Sequence, residues 1–169
     1  RHAALTVTES EVGKSDLVRL FGADPGKTRP IPLSPPPHVY QHRSLSESTL
    51  REVALRYDLP ERFVFYPARL WEHKNHRRLF EALAHLRDRD GLRVPCVLAG
   101  SGGDHAEGVL SAVPELGLEG QVLHVGYVPD ADLAAIYKLS SALVYASFAE
   151  YTNMPVLEAM VLGTPVLCS

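Results

Sequence analysis

Short apolar runs recur along this sequence with helix-patterned stretches between them, and that alternation restricts the chain to few folds. Residues 63–66, 94–99, 121–125, 142–146 and 165–168 each read as a strand. Between them, residues 75–89 carry Leu79, Leu83 and Leu86 at helical spacing and stop at Gly91. Residues 104–113, 130–139 and 153–162 read as further helices, the second starting on an acidic cap and the last closed by Gly163. Strands separated each time by one helix imply βαβ crossovers and a parallel sheet. The nearly continuous apolar run Val94-Pro95-Cys96-Val97-Leu98-Ala99 suits a strand buried on both faces. The fold class expected is α/β: a Rossmann-like parallel sheet with helices on both faces.

Upstream of this rhythm the pattern changes. Residues 4–8 read as a short strand, and Thr8-Glu9-Ser10-Glu11 has capping-box spacing into a helix ending near Gly22. Asp24-Pro25-Gly26 is a turn. Pro30, Pro32, Pro35, Pro36 and Pro37 then enforce an extended path that excludes helix, making residues 31–45 the expected linker between two domains. After it, Leu50, Val53, Ala54 and Tyr57 form one apolar helix face. The sequence opens without methionine and closes on Cys168-Ser169 inside a strand-like run, so elements are expected to be missing at both ends.

Composition narrows the function classes. With 46% hydrophobic and 22% charged residues in 169, the chain has enough apolar material for a globular core. A net charge of −3 argues against nucleic acid as a partner, since phosphate-backbone binding needs a basic face. Cys96 and Cys168 lie in apolar runs without a CxxC pair, which fits a reducing cytosolic setting. No run approaches the roughly eighteen apolar residues of a membrane span, and there is no signal peptide.

Three loops follow strands and converge at one sheet edge. In Pro67-Ala68-Arg69-Leu70-Trp71-Glu72-His73-Lys74-Asn75, Arg69 and Lys74 are either solvated cations or a grip on a diphosphate beside a helix N-terminus. His73 and His76, without a third ligand at metal spacing, read as surface or capping residues. Gly100-Ser101-Gly102-Gly103 is either a plain turn or a loop close to phosphate; it fails as a dinucleotide fingerprint because His105 stands where glycine is required, which disfavours an oxidoreductase. In the third loop, Asn153 can cap a helix with Pro155 in its first turn, which leaves amides for an anion. Glu150 and Glu158 either decorate the surface or accept hydroxyl protons from two sugars, a carboxylate offering acceptors and no donor.

Phe65-Tyr66-Pro67-Ala68-Arg69-Leu70 with Lys74-Asn75, then Leu98-Ala99-Gly100-Ser101-Gly102, then Val125-Gly126-Tyr127-Val128 with Leu133 and Tyr137, and finally the Glu150-to-Glu158 element resemble the C-terminal half of a group 1 (family 4) retaining glycosyltransferase of the GT-B architecture. The resemblance implies the end of an N-terminal acceptor domain in residues 1–30, an interdomain crossing in 31–45, and a nucleotide-sugar donor domain in 46–169 that is incomplete at its C-terminus. It implies catalytic roles for Arg69, Lys74 and Glu150, the cations on the donor diphosphate and Glu150 on the transferred sugar. Glu158 would bind ribose, Tyr127 and Val128 would lie by the base, and Gly100, Gly102, Asn153, Met154 and Pro155 would line the substrate. The partners implied are a nucleoside diphosphate sugar and a sugar or lipid-linked acceptor held by the N-terminal domain. No metal and no cofactor are expected. The intact protein is expected in the cytoplasm, any membrane contact being peripheral on the inner face, and the fragment alone is expected to be inactive. The competing reading is a non-catalytic nucleotide-binding or protein-interaction module of the same fold. One departure matters: where the family has Gly-Phe-Gly-Leu-Pro, this sequence has Tyr151-Thr152-Asn153-Met154-Pro155, so the identity of the sugar does not transfer.

Overall fold

The computed structural model describes residues 3–148, 150 and 153–168. It divides into two units, a small one running to Ser34 and a large one formed by Pro35–Glu150 and Met154–Ser169. The small unit pairs strand β1 (Thr6–Thr8) in parallel with β2 (Thr28–Pro30) through helix α1 (Glu11–Phe21). That helix is capped by the Ser10 hydroxyl, which accepts from the Gly13 amide, two residues later than the capping-box spacing predicts. It ends on left-handed Gly22, whose amide returns to the Val18 carbonyl while the Ala23 amide returns to that of Leu17, a Schellman closure.

In the large unit, α2 (Pro37–Gln41) and α3 (Glu47–Arg56) precede β3 (Val64–Pro67), α4 (His76–Asp90) and β4 (Cys96–Ala99). Then come α5 (Ala106–Leu110), α6 (Ala112–Glu115), β5 (Val122–His124), α7 (Asp130–Leu139), β6 (Ala142–Tyr145), α8 (Met154–Leu162) and β7 (Val166–Cys168). The strands form one parallel sheet in the order β5-β4-β3-β6-β7, the doubly wound arrangement that the alternation of apolar runs predicts. Successive strand residues serve opposite faces. Phe65 and Val97 join a core with Val39, Val53, Ala135, Ile136 and Ala159 from α2, α3, α7 and α8. Tyr66 and Leu98 join another with Leu79, Phe80, Leu83 and Ala112 from α4 and α6. Burial on both sides explains why these strands carry no polar alternation.

Several local expectations are corrected. The proline-rich stretch contains a helix, because Pro36 is extended (φ −60°, ψ 148°) and Pro37 takes the first helical position, where a missing N–H breaks no intrahelical bond. The division between the units falls at Ser34, and α2 belongs to the large unit. The single helix expected at 104–113 is a 3₁₀ turn (Gly103–His105) followed by the short α5 and α6. Asp130 is the first residue of α7, whose cap is Pro129. Among the described residues, no helix is long and apolar enough to cross a membrane.

His76 overturns the surface assignment. It is 1% exposed, its ring lies 4.8 Å from that of Tyr66, and neither ring nitrogen has a hydrogen-bond partner. Burial above all, then the charges at His124 and Lys74, lower its pKa from 6.5 to about 4. The folded protein therefore holds His76 neutral while the unfolded chain takes up a proton, so stability is lost as pH falls from 6.5 towards 4. Urea unfolding at pH 7 and pH 4.5 is expected to show an acid loss on the order of 2 kcal/mol that His76→Leu removes.

Candidate functional site

The strand order reverses between β3 and β6. The helix after β3 packs into one core and the helix after β6 into the other, which leaves a crevice at the carboxyl ends of these strands. The loop after β3 tightens into a 3₁₀ turn (Glu72–Lys74) and reverses at Asn75, left-handed at φ 59°, ψ 35°. The Asn75 side chain caps neither helix; its Nδ2 donates to the Ala146 carbonyl at 2.9 Å, and the Phe148 amide donates to the His73 carbonyl at 3.0 Å. Two loops distant in sequence are thus fastened side by side.

This fastening brings Lys74 and Glu150 together. Lys74 Nζ pairs directly with Glu150 Oε1 and donates to the Tyr145 hydroxyl at 3.4 Å, lying 5.7 Å from that ring's centre. Both charged side chains are only 14% exposed. Glu150 Oε1 also accepts from Ser147 Oγ at 3.0 Å and lies 3.6 Å from His73 Nε2. The Tyr145 hydroxyl has its pKa raised, chiefly by burial, with Lys74 opposing and Glu150 and Glu158 adding to the rise. Lys74 is therefore not the free cation suggested by its loop position, and an anion binding here competes with a carboxylate.

Arg69 stands apart from this pair. It is exposed, and its guanidinium carbon lies 5.0 Å from the Trp71 ring centre. With Gly100, Tyr127 and Val128 it lines a cavity of about 200 Å³ whose remaining walls include Pro67, Asp130 and Leu133. Residues from the loops after β3, β4 and β5 thus line one cavity; the loop after β6, the third expected at this edge, gives it none of its described residues. Gly100 has a structural reason to be glycine: φ is +142°, and a Cβ there would lie 2.5 Å from the Ala68 carbonyl oxygen. Gly102 does not line this cavity, and its missing side chain makes room for Ala106, whose Cβ would lie 2.2 Å away.

Glu158 lies on α8 and accepts from the Tyr137 hydroxyl at 2.8 Å. Tyr137 is buried, and its pKa is pushed well above the ordinary value by burial first and by Glu158 second. Sequence reasoning missed this partner, as it missed the Trp71 ring beside Arg69. Met154 and Pro155 are the first two residues of α8, and exposed Asn153 immediately precedes them. Pro155 contributes no N–H, so amides for an anion come only from its neighbours. Tyr151 and Thr152, where the sequence departs from the family pattern, lie outside the described residues. Among the described residues, no three His, Cys, Asp or Glu side chains cluster to hold a metal ion.

The profile of the family described as "Glycosyl transferases group 1" matches residues 51–169. The chain belongs to the group 1 glycosyl transferases. This group 1 chain is 34% identical, over 99% of its length, to O-antigen chain mannosyltransferase B of Escherichia coli, and spans 43% of that relative. It is 27% identical to D-inositol 3-phosphate glycosyltransferase of Segniliparus rotundus, covering 96% of this chain and 36% of the relative. Its fold matches a glycosyltransferase of Rickettsia africae with a TM-score of 0.85 at 22% identity, over 97% of this chain and 44% of the other. It also matches Anabaena HepE, solved with UDP-glucose, with a TM-score of 0.82 at 21% identity, over 99% and 45%. The chain thus spans less than half the length of these proteins.

Gly100→Ala tests how rigidly the loops of this group 1 chain are held. Left-handed strain and the clash with the Ala68 carbonyl are expected to lower unfolding stability by ~1–3 kcal/mol in denaturant titrations.

Proposed function

We propose that this chain forms the donor-binding part of a retaining glycosyltransferase that moves a sugar from a nucleoside diphosphate sugar to an acceptor hydroxyl. The observation that carries this reading is the convergence, at the carboxyl edge where strand order reverses, of the Lys74–Glu150 pair and the cavity lined by Arg69, Gly100, Tyr127 and Val128. Residues 46–169 would be the donor domain, residues 31–45 the interdomain crossing, and residues 1–30 the end of the acceptor domain. The E. coli relative's name makes a mannose donor the first to assay.

In this reading the nucleoside lies by Tyr127 and Val128, and Glu158, oriented by Tyr137, accepts ribose hydroxyls. The diphosphate displaces the Glu150 carboxylate from Lys74, and the carboxylate turns to the hydroxyls of the transferred sugar. The bond between the anomeric carbon and the phosphate oxygen breaks, its electron pair leaving with the diphosphate. The acceptor oxygen bonds to the same face of that carbon and passes its proton to the departing diphosphate oxygen. Arg69 and Lys74 neutralise the charge that develops on the leaving group, the task a divalent ion performs elsewhere, so no metal is required. The geometry is already fastened by the bonds from Asn75 and Phe148, so little reorganisation accompanies the charge transfer. Most acceptor contacts and closure over the donor need the N-terminal domain, so the chain alone is expected to be inactive. The setting proposed is the cytoplasm, with any membrane contact made by the intact enzyme.

Transfer assays on the intact enzyme test the reading. Arg69→Ala with Lys74→Ala is expected to lower kcat/KM by ~100-fold or more. Normal turnover by that double variant would refute the assignment.

A further inference from the structure

Trp71, in the loop that carries Lys74, and Phe148, in the loop after β6, are 39% and 70% exposed, large apolar surfaces left in water. Both line a cavity of about 540 Å³, within the ~300–1,000 Å³ usual for small-molecule sites. This cavity is bounded by α4, α5 and α6 and is distinct from the Arg69 cavity, which abuts α7. A further space of about 550 Å³ shares both aromatic walls and reaches His73.

The charged side chains on the remaining walls balance one another. Glu72 and Glu81 stand with Arg77 and Arg78, two carboxylates against two guanidiniums. Glu81 lies 3.5 Å from Arg77 Nε and 3.3 Å from Arg78 Nη1. These pairs are solvent-exposed and therefore weak, so a ligand can re-partner them at little cost. Together they offer acceptors and planar donors side by side with no excess charge, the complement of vicinal hydroxyls. Aromatic faces beside them suit the C–H surface of a pyranose, whose slightly positive hydrogens meet the negative face of the ring. The walls are held in place by the Phe148 amide on the His73 carbonyl, in the turn that carries Lys74.

We propose that this cavity binds an uncharged sugar ring of the acceptor, stacked on Trp71 and Phe148, as a saccharide subsite contributed by the same domain that holds the donor. The acceptor assignment rests on the transferase reading; the saccharide site itself does not.

Trp71 is the only tryptophan in the sequence, so its emission reports on the cavity. Titration of the chain with methyl α-mannoside and with a linear manno-oligosaccharide is expected to give a saturable emission change. Phe148→Ala, at an exposed position, should weaken it at least fivefold and Phe148→Tyr should restore it. The change should persist with saturating UDP or GDP present. Flat titrations, an undiminished response in Phe148→Ala, or loss of the response when nucleotide is added would each overturn the proposal. Calorimetry with UDP and GDP runs beside it: a retained sugar response without nucleotide affinity would support this subsite while sinking the donor-domain reading.

Discussion

Two adjacent parallel strands that send their helices to opposite faces cannot cover their own carboxyl ends, and the meeting of Lys74 with Glu150 depends on that gap between β3 and β6. The loops after these strands leave from neighbouring points on one edge, so short hydrogen bonds suffice to join them. Asn75 and Phe148 supply those bonds, and Lys74 meets Glu150 as a result. Packing of the two cores, through Phe65 and Val97 on one face and Tyr66 and Leu98 on the other, keeps that edge rigid.

The two cations at this edge are held by different physics. Lys74 is largely withdrawn from water, where its attraction to Glu150 is strong and removal of either partner would leave a costly charge. Arg69 is exposed and supported by an aromatic ring, and water screens its charge. A polyanion reaching both therefore meets one group it must compete for and one it can take without displacing a carboxylate. Tyr145 feels the charges of Lys74, Glu150 and Glu158 together, which places these groups within one electrostatic neighbourhood despite their separation in sequence.

Much of the fold is legible in the sequence because periodicity of apolar residues is imposed directly by the sheet and its helices. Gly91 and Gly163 mark helix ends for an equally local reason, positive φ. The proline run misleads because residue type was weighed without position; at the start of a helix, Pro37 is compatible with what an interior proline forbids. The spacing of His73 and His76 cannot say that one faces solvent while the other enters a core. Arg69, Gly100, Tyr127 and Val128 line one cavity, and the pairing of Lys74 with Glu150 spans 76 positions and is set by topology alone. Gly100 and Gly102 look equivalent in sequence, but one admits a close approach of two loops and the other a helix.

Asn75 carries two requirements at once, a left-handed backbone and a side-chain donor. Glycine would satisfy the first more cheaply and cut the tether to Ala146; aspartate would tolerate the backbone but has no hydrogen to give when ionised. One of the bonds that join the halves of the sheet edge thus rests on a side chain with few substitutes, and variation at this one residue would leave the spacing of Lys74 and Glu150 to the others, the Phe148 amide among them.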